Sequence, residues 1–199
     1  MNLCEWRQVF KRAQSRGCTY PHQLAFLLEL PLRKLMLSPA QLAERLDLQP
    51  DSRVLEIGPG PGFFSVELAQ RVPRGHLELF DIQHEMLAKA RRKLQRAGLH
   101  NVGLAQGDAR GLPYRNESFD VIVLVAVLGE VPDPPAALRE SYRVLRRGGI
   151  LSVTELPGDP DFTSLPVLRS LAAAAGFEVA EHLGTPKKYT ANFRKPDLS

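Results

Sequence analysis

The residues richest in chemistry lie in VLEIGPGPGFFS, from Val54 to Ser65, where the acid Glu56 stands two positions before the first of three alternating glycines, Gly58, Gly60 and Gly62. Glycines on alternate positions strip away side-chain bulk, so backbone N–H groups can approach a bound molecule closely. An apolar strand that ends in such a turn and opens into a helix, here SVELAQRV, suits a ligand that contains a nucleoside. Spacing narrows the choice. A dinucleotide fingerprint sets its last glycine three positions after the second. Here the interval is two, and Phe63 fills a place which that fold keeps small. A phosphate-cradling P-loop would need a Gly-Lys-Ser/Thr ending, and none follows Gly62.

Two further acids fall where strands should end. HLELFD closes at Asp81, followed by Ile82, and a carboxylate at a strand's carboxyl edge can accept hydrogen bonds from both ribose hydroxyls. NVGLAQGDARGLPY reads as a third strand ending in Gly107, Asp108 and Ala109. FDVIVLVAVLGEV is a continuous apolar fourth strand, PPAALRESYRVLRRGG a helix closed by its two glycines, and ILSVTE a fifth strand. After the loop LPGDPDFT comes a helix, SLPVLRSLAAAAG, then two strands, FEVAEHLG and KYTANFRK, joined by Thr185 to Lys187. Before the turn LQPDS lie two amphipathic segments, QLAFLLEL and SPAQLAERL, the second with Ser38 as N-cap and Pro39 at the first helical position.

The pattern of Glu56, Gly58, Gly60 and Gly62 resembles motif I of the class I S-adenosylmethionine methyltransferases, and the order of strands and acids from about residue 50 to 155 is similar to the small methyltransferases of ubiquinone and menaquinone biosynthesis. The resemblance implies an α/β fold with a Rossmann-like, seven-stranded, mostly parallel sheet that finishes in an antiparallel hairpin. It also implies a helical cap over residues 1–49 and one methyltransferase domain over 50–199. The implied cofactor is S-adenosylmethionine. Its contacts would be Glu56 and the backbone of Gly58, Pro59, Gly60 and Gly62 at the methionine end, Asp81 with Ile82 at the ribose, and Asp108 with Ala109 at adenine. Backbone near Leu124 and Val125 would add to the methionine end. Glu56 also reads as a structural acid that holds the turn, and Asp81 and Asp108 as plain turn acids.

Methyl transfer from a sulfonium needs no nucleophilic side chain, since positioning and exclusion of water carry the reaction. No residue is assigned as catalytic. If the acceptor is a phenol, thiol or amine, a group must manage its proton, and His22, Glu130 and Tyr189 are the candidates. Each has a plainer role: helix start, cap of the helix that follows, and core strand residue. Asp133, Pro134 and Pro135 resemble the DPPY signature of amino-methylating DNA enzymes, but they follow the fourth strand too late, and Ala136 stands where an aromatic must stack on a flipped base. Sequence-specific nucleic acid is therefore not the expected partner, and the apolar Leu24–Leu37 stretch leans towards a small, quinone-like or lipid-like acceptor. Two other readings stay open: a methyltransferase-like binding or assembly subunit that keeps the cofactor pocket, and an NAD oxidoreductase resting on the glycine turn with Asp81.

With 199 residues, 44% of them hydrophobic and 24% charged, the chain suits a single globular unit with a sizeable core. Net charge is only +4, with basic clusters in KRAQSR and KARRKLQRAG that read as solvated helix faces or as contacts for anionic lipid or nucleic acid. Cys4 and Cys18 lack disulfide-framework or metal spacing, so reduced thiols and no metal site are expected. Arg7, Lys11, Arg12 and Arg16 break any signal-peptide core, and Leu24–Leu37 is too short and too charged to span a bilayer. A cytoplasmic protein with peripheral membrane contact at most is the expectation, with a mitochondrial presequence as the alternative for the Arg-rich start. Oligomeric state is not encoded in these patterns.

Overall fold

A computed structural model describes residues 20–29 and 37–197, with nothing stated for the side chains of 26–29. The expected features on Cys4, Cys18 and the rest of residues 1–19 and 30–36 lie outside the described residues.

Seven strands form one sheet in the order β3-β2-β1-β4-β5-β7-β6. They are β1 (Arg53–Ile57), β2 (His76–Asp81), β3 (Val102–Gln106), β4 (Phe119–Val125), β5 (Leu145–Glu155), β6 (Glu178–Thr185) and β7 (Lys188–Arg194). β1 to β5 run parallel, while β7 lies antiparallel between β5 and β6. The Rossmann-like, mostly parallel sheet with an antiparallel finish is thus as the sequence indicates. Period-two alternation explains why both faces are covered: Leu55, Ile57, Ile122, Leu124, Leu151 and Val153 point to one core, Val54, Val121, Val123 and Val125 to the other. The first face is closed by α4 (Pro134–Val144) and α5 (Leu165–Ala174) through Leu138, Leu168 and Ala172. The second is closed by α1 (Pro39–Glu44), α2 (Ser65–Arg71) and α3 (His84–Arg96) through Leu42, Leu68, Leu87 and Leu94.

Local chemistry sets several boundaries. Ser38 caps α1 in a reciprocal pair: its Oγ accepts from the Gln41 N–H at 3.2 Å, and the Gln41 side-chain oxygen accepts from the Ser38 N–H at 3.1 Å, with Pro39 in the first turn. Ser38→Ala is expected to cost about 1 kcal/mol in urea unfolding, with the slope unchanged. At the far end of α1, Arg45 donates to Thr190 Oγ1 at 2.6 Å, and the Arg45 carbonyl accepts from Asn192 Nδ2 at 2.6 Å, so α1 is tied to β7.

Several boundaries differ from expectation. QLAFLLEL belongs to a 3-10 helix, His22–Glu29, not an amphipathic α-helix. β4 stops at Val125, because Ala126 takes a φ of 54 and a 3-10 turn, Leu128–Glu130, follows. The glycine pair does not close α4: the helix stops at Val144, and Gly148 and Gly149 lie inside β5. Gly148 N–H donates to the Lys195 carbonyl at 2.8 Å and Lys195 N–H to the Gly149 carbonyl at 3.0 Å, so partner-strand hydrogen bonds claim a glycine pair that would otherwise serve as a C-cap.

Candidate active site

Strand order reverses between β1 and β4, and open α/β sheets bind ligands outside the carboxyl ends of the strands at such a switch point. There the chain leaves β1 through Gly58, Gly60 and Gly62, with φ of 68, 55 and 80. The Gly58 N–H donates to the Phe80 carbonyl at 2.8 Å, pinning the turn to the end of β2. A Cβ on Gly58 would lie 2.4 Å from Val127 Cγ2. Glu56, 3% exposed, accepts the Ser65 hydroxyl on Oε2 at 2.6 Å, so this acid ties β1 to the start of α2. Pro59 is buried in the same turn.

Asp81 closes β2 and is buried. Its Oδ1 accepts the Gln83 N–H at 2.8 Å and its Oδ2 the Gly60 N–H at 3.3 Å, which draws the glycine turn to the acid. Burial nevertheless pushes the Asp81 carboxyl up to about 6, against those two bonds. Ile82 beside it is 50% exposed, unusual for a large apolar side chain in this fold. A hydrogen-bond acceptor, an open apolar face and a glycine-rich turn match a nucleoside, which has hydroxyl donors and a flat heterocycle.

β3 ends at Gln106 rather than at Gly107 to Ala109, because the Gly107 N–H turns back to the Asp81 carbonyl at 3.1 Å. Asp108 is partly exposed and held in a two-pronged grip, Arg110 Nε to Oδ1 at 3.0 Å and Nη2 to Oδ2 at 2.6 Å. The guanidinium keeps the Asp108 carboxyl below the usual range. Ala109 packs partly buried against the core, and Leu124 and Val125 end β4 with buried side chains, leaving backbone for any ligand.

Tyr20 to His22 cross the crevice. The Tyr20 N–H donates to Glu130 Oε2 at 3.1 Å, its carbonyl accepts from Gln83 Nε2 at 2.8 Å, and Lys89 Nζ donates to the His22 carbonyl. The segment therefore links the loop after β2 to the turn after β4. Burial pushes the Glu130 carboxyl up to about 8, and Asp159, Asp161 and Asp81 add repulsion. Tyr189 lies elsewhere: 1% exposed on β7, it donates its hydroxyl to the Thr163 carbonyl at 2.6 Å and meets Phe162 edge-on. The fold thus brings together the glycine turn, Asp81, Ile82 and Glu130, holds His22 by its carbonyl to Lys89, and leaves Tyr189 in the core. Sequence reading passed over Glu155, an acid at the end of an apolar strand, 1% exposed and with no hydrogen-bond partner on either carboxylate oxygen. It also passed over Arg110, Gln83 and Tyr20, which only the fold brings to the site. Among the described residues, no group of three or more His, Cys, Asp or Glu could hold a metal ion, and no helix is long and apolar enough to cross a membrane.

Comparison with known proteins matches residues 55–153 to a methyltransferase domain family. The demethylmenaquinone methyltransferase of Listeria welshimeri is 39% identical over 106 residues, 53% of this chain and 45% of that protein. A chloroplastic 2-methyl-6-phytyl-1,4-hydroquinone methyltransferase of Oryza sativa is 36% identical over 98 residues, 49% of this chain and 29% of that protein. The chain thus spans less than half the length of these curated relatives. Among solved structures, an S-adenosylmethionine-dependent methyltransferase from Aquifex aeolicus superposes with a TM-score of 0.82 at 22% identity, over 88% of this chain and 98% of that one, which is likeness of fold.

Proposed function

We propose that the chain is a class I S-adenosylmethionine-dependent methyltransferase that transfers a methyl group from S-adenosylmethionine to a small, hydroxyl-bearing ring compound of the hydroquinone type. The observation that carries the cofactor half is the buried Asp81 beside the exposed Ile82 at the switch point, facing a turn with glycine at 58, 60 and 62. Bound there, the cofactor supplies a methyl on a sulfonium sulfur, whose bond breaks with its electron pair left on sulfur as a neutral thioether.

Asp81 would accept hydrogen bonds from the ribose hydroxyls with Ile82 beside it, and Asp108 with Ala109 would meet the adenine edge. The grip of Arg110 keeps Asp108 ionised for that task. Backbone of Gly58 to Gly62 and of Leu124 and Val125 lines the methionine end, with Glu56 acting through Ser65 to fix the turn. Residues ahead of β1 work as a cap: Tyr20 to His22 close over the crevice, which positions the acceptor and keeps water out. The acceptor class is supported by the names of the relatives.

The test is calorimetry with S-adenosylmethionine, S-adenosylhomocysteine and NAD in parallel, followed by turnover on a panel of hydroquinones, catechols and thiols. Binding of the first two without NAD, and S-adenosylhomocysteine formed with hydroquinones, is the expected result. Binding without turnover on any acceptor would favour a binding or assembly subunit instead.

A further inference from the structure

We propose that Glu130 and Glu155 form a carboxyl pair that takes the proton of the acceptor's hydroxyl, Glu130 touching the acceptor and Glu155 standing behind it with a proton of its own. This rests on the reading of the chain as a methyltransferase for a hydroxyl-bearing ring. Glu155 closes β5 directly opposite Tyr189 in the β5–β7 ladder, yet the Tyr189 hydroxyl is turned to the Thr163 carbonyl and does not donate to the carboxylate. At 1% exposure, with neither oxygen in a hydrogen bond, Glu155 is a buried polar group of the kind that folded proteins pair or put to use.

The charged groups acting on it are acids, Asp159 and Asp161 from the loop after β5 and Glu130 from the turn after β4, and the Thr163 backbone N–H offsets them in part. Asp159, Asp161 and Asp81 act on Glu130 in turn, and only the Tyr20 N–H relieves it. The loop is packed tightly on that turn, since a Cβ on Gly129 would lie 1.8 Å from the Asp161 carbonyl oxygen. Burial pushes both Glu130 and Glu155 up to about 8, and the Glu130 charge adds to the push on Glu155, so ionising one raises the cost of ionising the other. Glu130 is the more open of the two and accepts the Tyr20 N–H at 3.1 Å, which favours its ionising first. Glu155 then keeps its proton, because a second charge would face the first in a dry site.

In the proposed step the acceptor O–H bond breaks, its proton joins the Glu130 carboxylate, and the electron pair stays on the acceptor oxygen and spreads into the ring. The ring carbon beside it uses that pair to take the methyl, while the pair of the broken S–CH3 bond remains on sulfur. The hydrogen on that carbon leaves as a proton to water, and Glu130 returns its proton to the oxygen. A base that titrates near the working pH serves this best.

The experiment has two arms. In the first, Glu130→Gln and Glu155→Gln are assayed on a hydroquinone across pH. Wild-type kcat/KM should rise as the pair loses its first proton and fall as it loses the second. Glu130→Gln should lower kcat/KM by about 10²- to 10⁴-fold with cofactor affinity unchanged, and Glu155→Gln should keep the rise and lose the fall. Wild-type rates and profiles in both variants overturn the proposal. In the second arm, carbon-13 NMR follows labelled glutamate carboxyls in the unmutated chain, which needs neither turnover nor a variant that folds. Two glutamates titrating together well above the ordinary range support the pair, and separate titrations at roughly 4 to 5 overturn it. A chain that turns over no acceptor but shows the paired titration would sink the proposed function, and with it the catalytic role of the pair.

Discussion

Asp81→Ala should weaken S-adenosylmethionine binding by on the order of 1–3 kcal/mol, about 5- to 150-fold, towards the upper end of that range. Two losses combine at this position. The ribose hydroxyls would be left without an acceptor in a site that excludes water, and the N–H groups of Gly60 and Gln83, which Asp81 holds at 3.3 and 2.8 Å, would lose theirs, so the glycine turn would loosen as well. The acid also imposes a pH signature. Its folded-state value of about 6 lies above that of an ordinary aspartate, so the protonated form grows as pH falls through 6, and that form accepts hydrogen bonds poorly. Affinity should therefore be level above pH 7 and decline below 6 in the wild type, while Asp81→Asn should be weak and flat throughout. Calorimetry from pH 5 to 8, with Tm recorded for each variant, checks this. Equal affinities for wild type and Asp81→Ala at pH 7.5 would remove Asp81 from the site.

Gly58→Ala tests the other wall. Its φ of 68 is a left-handed conformation that costs an alanine about 1–2 kcal/mol, and its Cβ would sit 2.4 Å from Val127 Cγ2, a clash that must move side chain or backbone. A loss of roughly 3 kcal/mol is expected, which for a chain of this size lowers Tm by about 6–12 °C. Cofactor affinity should fall along with it, because relief by shifting the turn also displaces the N–H groups of Gly60 and Gly62. Truncating the obstacle should recover part of the effect: Gly58→Ala with Val127→Ala keeps the backbone strain and removes the overlap. A double variant no better than the single one would mean that the left-handed turn, not Val127, is what alanine cannot satisfy.

The sequence made the elements around the switch point legible because local rules write them. Alternating glycines after an apolar strand, an acid at the end of β2 and the order of strands all act over a few residues and leave a pattern in the letters. Errors arose where a distant partner decides. Gly148 and Gly149 have the composition of a helix stop, but Lys195, far along the chain, recruits them into β5. Gly107 to Ala109 continue the apolar reading of β3, yet the Asp81 carbonyl turns Gly107 out of the strand. The acceptor half was harder still. Tyr189 has the residue type of a proton carrier, and only its burial and its bond to Thr163 give it a core position. Glu155 gives no local sign at all. Its significance comes from lacking a partner among residues brought together by three separate segments, which no spacing rule can express.

The place of β7 has a consequence for how the chain is made. This strand is the latest of the seven to be synthesised, yet it is interior, bonded to β5 on one side and β6 on the other, and its Thr190 meets Arg45 from 145 residues earlier. Until Lys188–Arg194 clears the ribosome, β5 offers an open, largely apolar edge, β6 has no neighbour, and α1 lacks its anchor. Partial products are therefore the form of this protein most exposed to edge-to-edge aggregation, and a nascent chain paused before Lys188 should depend on chaperones far more than the released one.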